Sequence, residues 1–136
     1  MIRRISGARS GASKSKVLLF QPPAGSWARG GLPKWRLHRT IDYMMDHLDR
    51  PLSLPELAAN VELSQFHFCR MFKKSTNLTP HQYVLQLRIE RARDLLTGRL
   101  PLAEIAAQLG FADQSHFGAV FKRFLGITPS EFLRSA

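Results

Sequence analysis

From Trp35 onward the apolar residues recur with the period of a helix. Trp35, Leu37, Ile41, Met44, Met45 and Leu48 approximate a stripe at three-to-four spacing and predict a first amphipathic helix. Ser53 and Glu56 form a capping box ahead of Leu57, with Pro55 suited to the first turn, so a second helix is predicted to about Asn60. Ser64 can cap a third helix that turns Phe68, Met71 and Phe72 inward. Thr79-Pro80-His81-Gln82 reads as another capping box. The fourth helix follows it, with Tyr83, Leu87, Ala92, Leu95 and Leu96 as core and Gly98 as its stop. A fifth helix is predicted from about Leu102 to Leu109, ending at Gly110. Asp113 caps a sixth that ends near Gly126, and Thr128-Pro129-Ser130-Glu131 opens a short seventh. No segment alternates with period two, so the fold class is all-α with about seven helices.

The pattern also repeats. Residues 64–84 recur as residues 113–133: Gln65 matches Gln114, His67 matches His116, Phe68 matches Phe117, Phe72-Lys73 matches Phe121-Lys122, and Thr79-Pro80 matches Thr128-Pro129. Upstream, Leu57-Ala58-Ala59 matches Ile105-Ala106-Ala107 at a spacing one residue shorter, which places an extra residue near Ala112 in the second copy. An internal repeat is the strongest architectural signal a sequence carries. Each copy is a short helix, a tight turn and a longer helix. Ala58-Ala59 and Ala106-Ala107 put small residues where helix axes must approach closely. Gly110 sits where the turn asks for a left-handed residue, and the first copy has Glu62 there, so a strain of roughly 1 kcal/mol is expected at Glu62. The longer helix is polar and basic on one side and apolar on the other, the layout of a helix-turn-helix whose second helix enters a DNA major groove. The fourth helix, at about 18 residues, is roughly 27 Å long. With the turns at its ends it can hold the two longer helices about 34 Å apart, one turn of B-DNA.

Composition sharpens this reading. The chain has 136 residues, 44% of them hydrophobic, which suits one domain or two very small ones sharing a core. No apolar run approaches the roughly 20 residues that span a bilayer, and Val17-Leu18-Leu19-Phe20 is too short for the core of a secretory signal. The single cysteine, Cys69, excludes an intramolecular disulfide framework and fits a reducing cytosol. The net charge of +10 points to a polyanionic partner, but it is unevenly spread. Residues 1–41 hold nine Lys/Arg and no acid; residues 42–136 hold eleven against ten acids. Basic charge gathers instead on one segment of each repeat: Arg70, Lys73 and Lys74 in 64–76, and Lys122 and Arg123 in 114–125, both without an acid. Residues 1–34 are rich in Gly, Ser, Ala and Arg, show no apolar period, and read as a flexible basic tail or linker remnant. A solvated tail without a specific task is the simpler reading; a phosphate-binding arm is permitted by the charge.

The stretch from Trp35 to Arg134 resembles the DNA-binding domain of AraC/XylS-type bacterial transcription regulators. The resemblance is carried by RPLSLPELAANVELSQFHFCRMFKKSTNLTPHQYV, RIERARDLL and IAAQLGFADQSHFGAVFKRFLGITPSEFL, including Gly110-Phe111, Phe121-Lys122 and Gly126 with Thr128-Pro129. It implies seven helices in a DNA-binding domain over 35–136: a first helix-turn-helix unit over about 35–78, a rigid linker helix over about 80–97, and a second unit over about 101–134. It also implies sequence-specific binding to double-stranded promoter DNA and regulation of transcription, with RNA polymerase as a further partner, a monomer on DNA, no cofactor, and a place in the cytoplasm on the nucleoid. Carried over residue by residue, the base-reading positions are Gln65, Phe66, Cys69 and Arg70 in the third helix, and Gln114, Ser115, His116 and Ala119 in the sixth. Arg70 would pair with guanine, Gln114 with adenine, and Phe66 would touch a thymine methyl. Lys73, Lys74, Lys122 and Arg123, with the helix starts at Ser64 and Asp113, would meet phosphates.

Two departures from the family pattern matter. Gly118-Ala119 stand where family members usually carry a polar residue, often arginine, so the sixth helix is expected to read more weakly or by DNA shape. The usual sensor or dimerisation domain is also missing from this sequence, which leaves a stand-alone regulator or a detached C-terminal part as alternatives.

Rival readings are blander. His67 and His116 recur, but each is a lone imidazole beside a phenylalanine with no second ligand at metal spacing, so no metal site is expected. Cys69 lacks a His or Asp arrangement that would make it a nucleophile, and is taken as a small groove-side or half-buried residue. Phe66 can pack or touch a base. The Arg88–Asp94 run reads as a solvated helix face with a weak Glu90–Arg93 pair. No nucleophile–base set or phosphate-cradling loop suggests an enzyme. The alternative function is a helical protein-interaction module without independent DNA affinity.

Overall fold

The computed structural model describes residues 30–135, and every regular element among them is a helix. In chain order these are α1 (Lys34–Asp46), α2 (Leu54–Asn60), α3 (Gln65–Thr76), α4 (Pro80–Thr97), α5 (Leu102–Gln108), α6 (Gln114–Leu125) and α7 (Pro129–Ser135). Each element predicted from the sequence is present. Of the segment read as a basic tail, residues 1–29 lie outside the described residues. Its last part belongs to the fold: Leu32 is fully buried, and its amide donates to Ser75 Oγ at 2.8 Å.

Local chemistry sets the helix starts. Ser53 and Glu56 satisfy each other's backbone amides at 3.3 and 3.1 Å, Thr79 and Gln82 at 3.2 and 3.0 Å, and Thr128 and Glu131 at 3.1 and 2.8 Å. Such reciprocal caps satisfy amides that the first turn leaves without partners, each worth about 1 kcal/mol. Single caps open the two longer helices: Ser64 Oγ accepts the His67 amide, and an Asp113 carboxylate oxygen accepts the His116 amide.

Helix ends use left-handed residues. Asn77 (φ 65°) closes α3 and Gly126 (φ 83°) closes α6. Glu62 (φ 61°) holds in the first unit the turn that Gly110 (φ 75°) holds in the second, which places the anticipated strain at Glu62. Gly98 differs from expectation. It follows α4 with an ordinary φ of −84°, and the left-handed residue is Arg99 at φ 68°. The last turn of α4 tightens first, with the amides of Gly98 and Arg99 donating to Leu95 and Leu96, so the reversal falls one residue later.

The repeat extends to individual backbone bonds. The Leu63 amide donates to Ala58 at 3.0 Å and the Phe111 amide to Ala106 at 3.0 Å; the Asn77 amide donates to Lys73 and the Gly126 amide to Lys122, both at 2.7 Å. Aromatic packing is duplicated too. Phe68 meets Phe72, which meets Tyr83 edge-on at 5.3 Å; Phe117 meets Phe121, which meets Phe132 edge-on at 5.8 Å.

Two apolar clusters form around these ladders. The first joins Leu37, Met44, Leu57, Phe68 and Phe72 to Tyr83, Val84 and Leu87 of α4. The second joins Ile105, Ala106, Leu109, Phe117 and Phe121 to Leu85, Ile89, Ala92 and Leu96 of the same helix. Because α4 is covered from both units, the Arg88–Asp94 run is not a solvated face. Arg88 and Glu90 are buried, although the Glu90–Arg93 pair does form, at 3.5 Å. Trp35 also departs from expectation, being 53% exposed with the Arg36 guanidinium 4.7 Å from its ring. It lies about 200° around α1 from buried Leu37, on the far side of the stripe.

Candidate nucleic-acid interface

In α3, Phe68 and Phe72 enter the core with no exposed surface, and this orientation turns Gln65, Phe66, His67, Arg70, Lys73 and Lys74 outward. Cys69 is half-buried at the edge of that face. Phe66 is 68% exposed, so it projects from the surface and does not pack in the core. The Arg70 guanidinium lies 5.4 Å from the Phe66 ring, one helical turn away, so the arginine is held over an aromatic platform. An arginine ordered this way loses less side-chain freedom when it pairs with a base edge.

In α6, Phe117 and Phe121 take the inward positions, and Gln114, Ser115, His116, Ala119, Lys122 and Arg123 are exposed. The His116 ring meets Phe111 edge-on at 5.3 Å, which orients it. Gly118 is open on its outer side: a Cβ there would meet nothing within 4 Å. The reading candidates therefore share one face on each helix, and none of them is hidden in the bundle. In both helices the amide of the third residue is taken by the cap, Ser64 or Asp113. Asp113 brings a negative charge that opposes a phosphate, whereas Ser64 brings none.

The basic residues cluster with an apolar recess. A groove of about 480 Å³ runs beside α3 and the starts of α2 and α4, with Cys69, Arg70, Lys73, Lys74, Pro80 and His81 among its lining residues. Lys73 and Lys74 also fall in the last turn of α3, and Lys122 and Arg123 in the last turn of α6, where cations complement the helix dipole. Glu56 is neutralised locally. Its carboxylate accepts from the Arg50 guanidinium and from the Tyr43 hydroxyl, each at 2.6 Å, and these bonds hold its pKa down at about 2. This network ties the loop after α1 to the start of α2. Sequence reading missed it because its members lie on separate elements with no shared motif. Among the described residues no cluster of His, Cys, Asp and Glu could hold a metal ion, and no helix is long and apolar enough to cross a membrane.

Two units, each presenting the outer face of its longer helix and sharing the spacer α4, define a tandem helix-turn-helix protein. A family pattern described as a helix-turn-helix domain matches residues 57–135. The chain belongs to the AraC/XylS-type helix-turn-helix family. It is 37% identical over 123 residues to the MmsAB operon regulatory protein of Pseudomonas aeruginosa, covering 89% of this chain and 39% of that protein. It is 37% identical over 92 residues to the probable transcriptional regulator LumQ of Photobacterium leiognathi, covering 67% of this chain and 37% of that one. The chain thus spans well under half the length of these relatives. An AraC-type transcriptional regulator from Chromobacterium violaceum superimposes with a TM-score of 0.72 at 29% identity, over 75% of this chain and 92% of that one. The DNA-binding domain of AdpA, solved in complex with a target DNA, gives 0.68 at 27% identity, over 74% and 91%.

Proposed function

We propose that this chain is a sequence-specific DNA-binding unit of a bacterial transcription regulator, reading two successive major grooves with α3 and α6. The observation that supports it most is the pair of duplicated helices, each capped and cored alike, each with its polar and basic face exposed. Arg70, with Gln65, Phe66 and Cys69, reads bases from α3; Gln114, Ser115, His116 and Ala119 do so from α6. Lys73, Lys74, Lys122 and Arg123 neutralise phosphates, the starts of α3 and α6 at Ser64 and Asp113 flank the backbone, and α4 spaces the two readers. Its likeness to a domain solved with target DNA supports the same reading. The unit binds as a monomer on promoter DNA in the cytoplasm, on the nucleoid, and contacts RNA polymerase there. Membership of a family of regulators also supports a role that is not enzymatic.

Selection from a randomised duplex pool tests this. The expected result is an enriched site with two blocks about 10 base pairs apart. Affinity should fall with salt at a slope of about −3 to −4, set by the four candidate phosphate cations. A second reading, a protein-interaction module, draws on Gly118-Ala119, which leave α6 without a long reading side chain at that turn. Absence of any enriched motif at low salt would favour it.

A further inference from the structure

We infer that Arg88 is a positioning residue for DNA reading, locking the second helix-turn-helix unit against the first and so setting the distance and phase between α3 and α6. The inference rests on the two-groove reading above. Arg88 lies near the middle of α4 and is 7% exposed. Its Nε donates to the Leu48 carbonyl at 3.1 Å and its Nη2 to the Arg50 carbonyl at 2.7 Å, both in the loop between α1 and α2 of the first unit. On its other side it meets the turn of the second unit. The guanidinium is 6.0 Å from the Phe111 ring, and a Cβ placed on Gly110 would stand 3.1 Å from Arg88 Nη2 and 3.0 Å from the Leu48 carbonyl oxygen. Gly110 therefore serves twice, supplying the left-handed turn and admitting the other unit's backbone. Phe111 in turn packs on Phe117 and His116, both at 5.3 Å, so the seam runs directly into α6.

The two apolar cores are separate clusters that share chiefly α4, and the seam adds two directional bonds from α4 to the first unit at the point where the second unit's Gly110-Phe111 turn closes over the guanidinium. Burying a guanidinium is costly, and burial does pull the Arg88 pKa down, with the nearby Asp49 charge opposing that pull. An apolar side chain would fill the space without this cost, but it could not aim two donors at two fixed carbonyls. Orientation is what the arginine adds.

The test uses the full chain and the duplex site that the wild-type protein selects. Three duplexes are compared by fluorescence anisotropy: the selected site, the same site with one base pair inserted between its blocks, and a single block. For the wild type, the insertion displaces one reader and is expected to weaken binding by about tenfold or more. Arg88→Met should weaken the unaltered site by about tenfold, reduce the insertion penalty to under about threefold, and leave single-block affinity within about twofold. Arg88→Lys, which keeps the charge but not the paired donors, should fall between the two. Gly110→Ala, which keeps every donor and crowds the seam, gives the same readout should Arg88→Met lose its fold by circular dichroism. An insertion penalty that stays at the wild-type value in the folded variants overturns the role of Arg88. A wild-type protein that ignores the insertion overturns the two-groove reading itself, so the two failures are distinct.

Discussion

Replacing Gly118 with alanine should stabilise the protein. Gly118 lies inside α6, five residues into a helix of twelve, and its backbone is not in the left-handed region. A Cβ added there meets nothing within 4 Å, so the substitution neither clashes nor fills a cavity. What remains is the backbone term: glycine inside a helix costs about 0.5–1 kcal/mol relative to alanine, because the unfolded chain loses more freedom on folding. For a domain of about 100 residues this corresponds to a rise in Tm of about 2–5 °C. Urea unfolding followed by circular dichroism at 222 nm reads it directly. The midpoint should rise while the slope m stays constant, since no additional surface is buried. An unchanged or lower midpoint would refute the reasoning. It would mean that the outer side of α6 at this turn is occupied in solution.

Arg70→Ala should cost about 1–3 kcal/mol on the selected site and relax preference at one base pair, measured by anisotropy against single-base variants. Equal losses on specific and random duplexes would contradict a base-reading role. Lys73→Ala should weaken all duplexes alike and reduce the salt slope by about one, and a base-dependent loss would contradict that. The Glu56 network makes stability depend on acid. Its folded pKa of about 2 lies below the ordinary value of about 4.3, so its contribution is complete above about pH 5 and lost as pH falls toward 2. Nominally this amounts to about 3 kcal/mol, but the partners are 26% and 42% exposed, and solvent screening leaves about 1 kcal/mol. The gap between the urea midpoints of wild type and Glu56→Gln should therefore narrow, to about half, from pH 7 to pH 3; a constant gap would exclude the network.

Much of the fold was legible because the chain announces its helix ends chemically. Ser53, Ser64, Thr79, Asp113 and Thr128 all cap where the pattern of polar and apolar residues predicted. The repeat likewise places Phe117 and Phe121 inward as Phe68 and Phe72 are, and in each unit the two rings pack on one another. What escaped was tertiary. Arg88 sits in a run of charged residues that mimics a solvated face, and only the packing of both units around α4 buries it. One cue was available: Val84, Leu85, Leu87 and Ile89 place apolar residues around much of α4, a distribution that leaves little surface for solvent. Trp35 shows the converse: its hydrophobicity suggests the core, but its angular position on α1 turns it to the surface. At the interface, the sequence suggested which residues face outward but not that Arg70 is held over Phe66 or that His116 leans on Phe111.

Hydroxyl-radical footprinting on the selected duplex tests the central claim most directly. Two protected windows on one face of the duplex, with centres about 10 base pairs apart, are predicted, and Gln114→Ala should fade only one of them. A single window, or protection that does not depend on sequence, would contradict reading of paired grooves by α3 and α6.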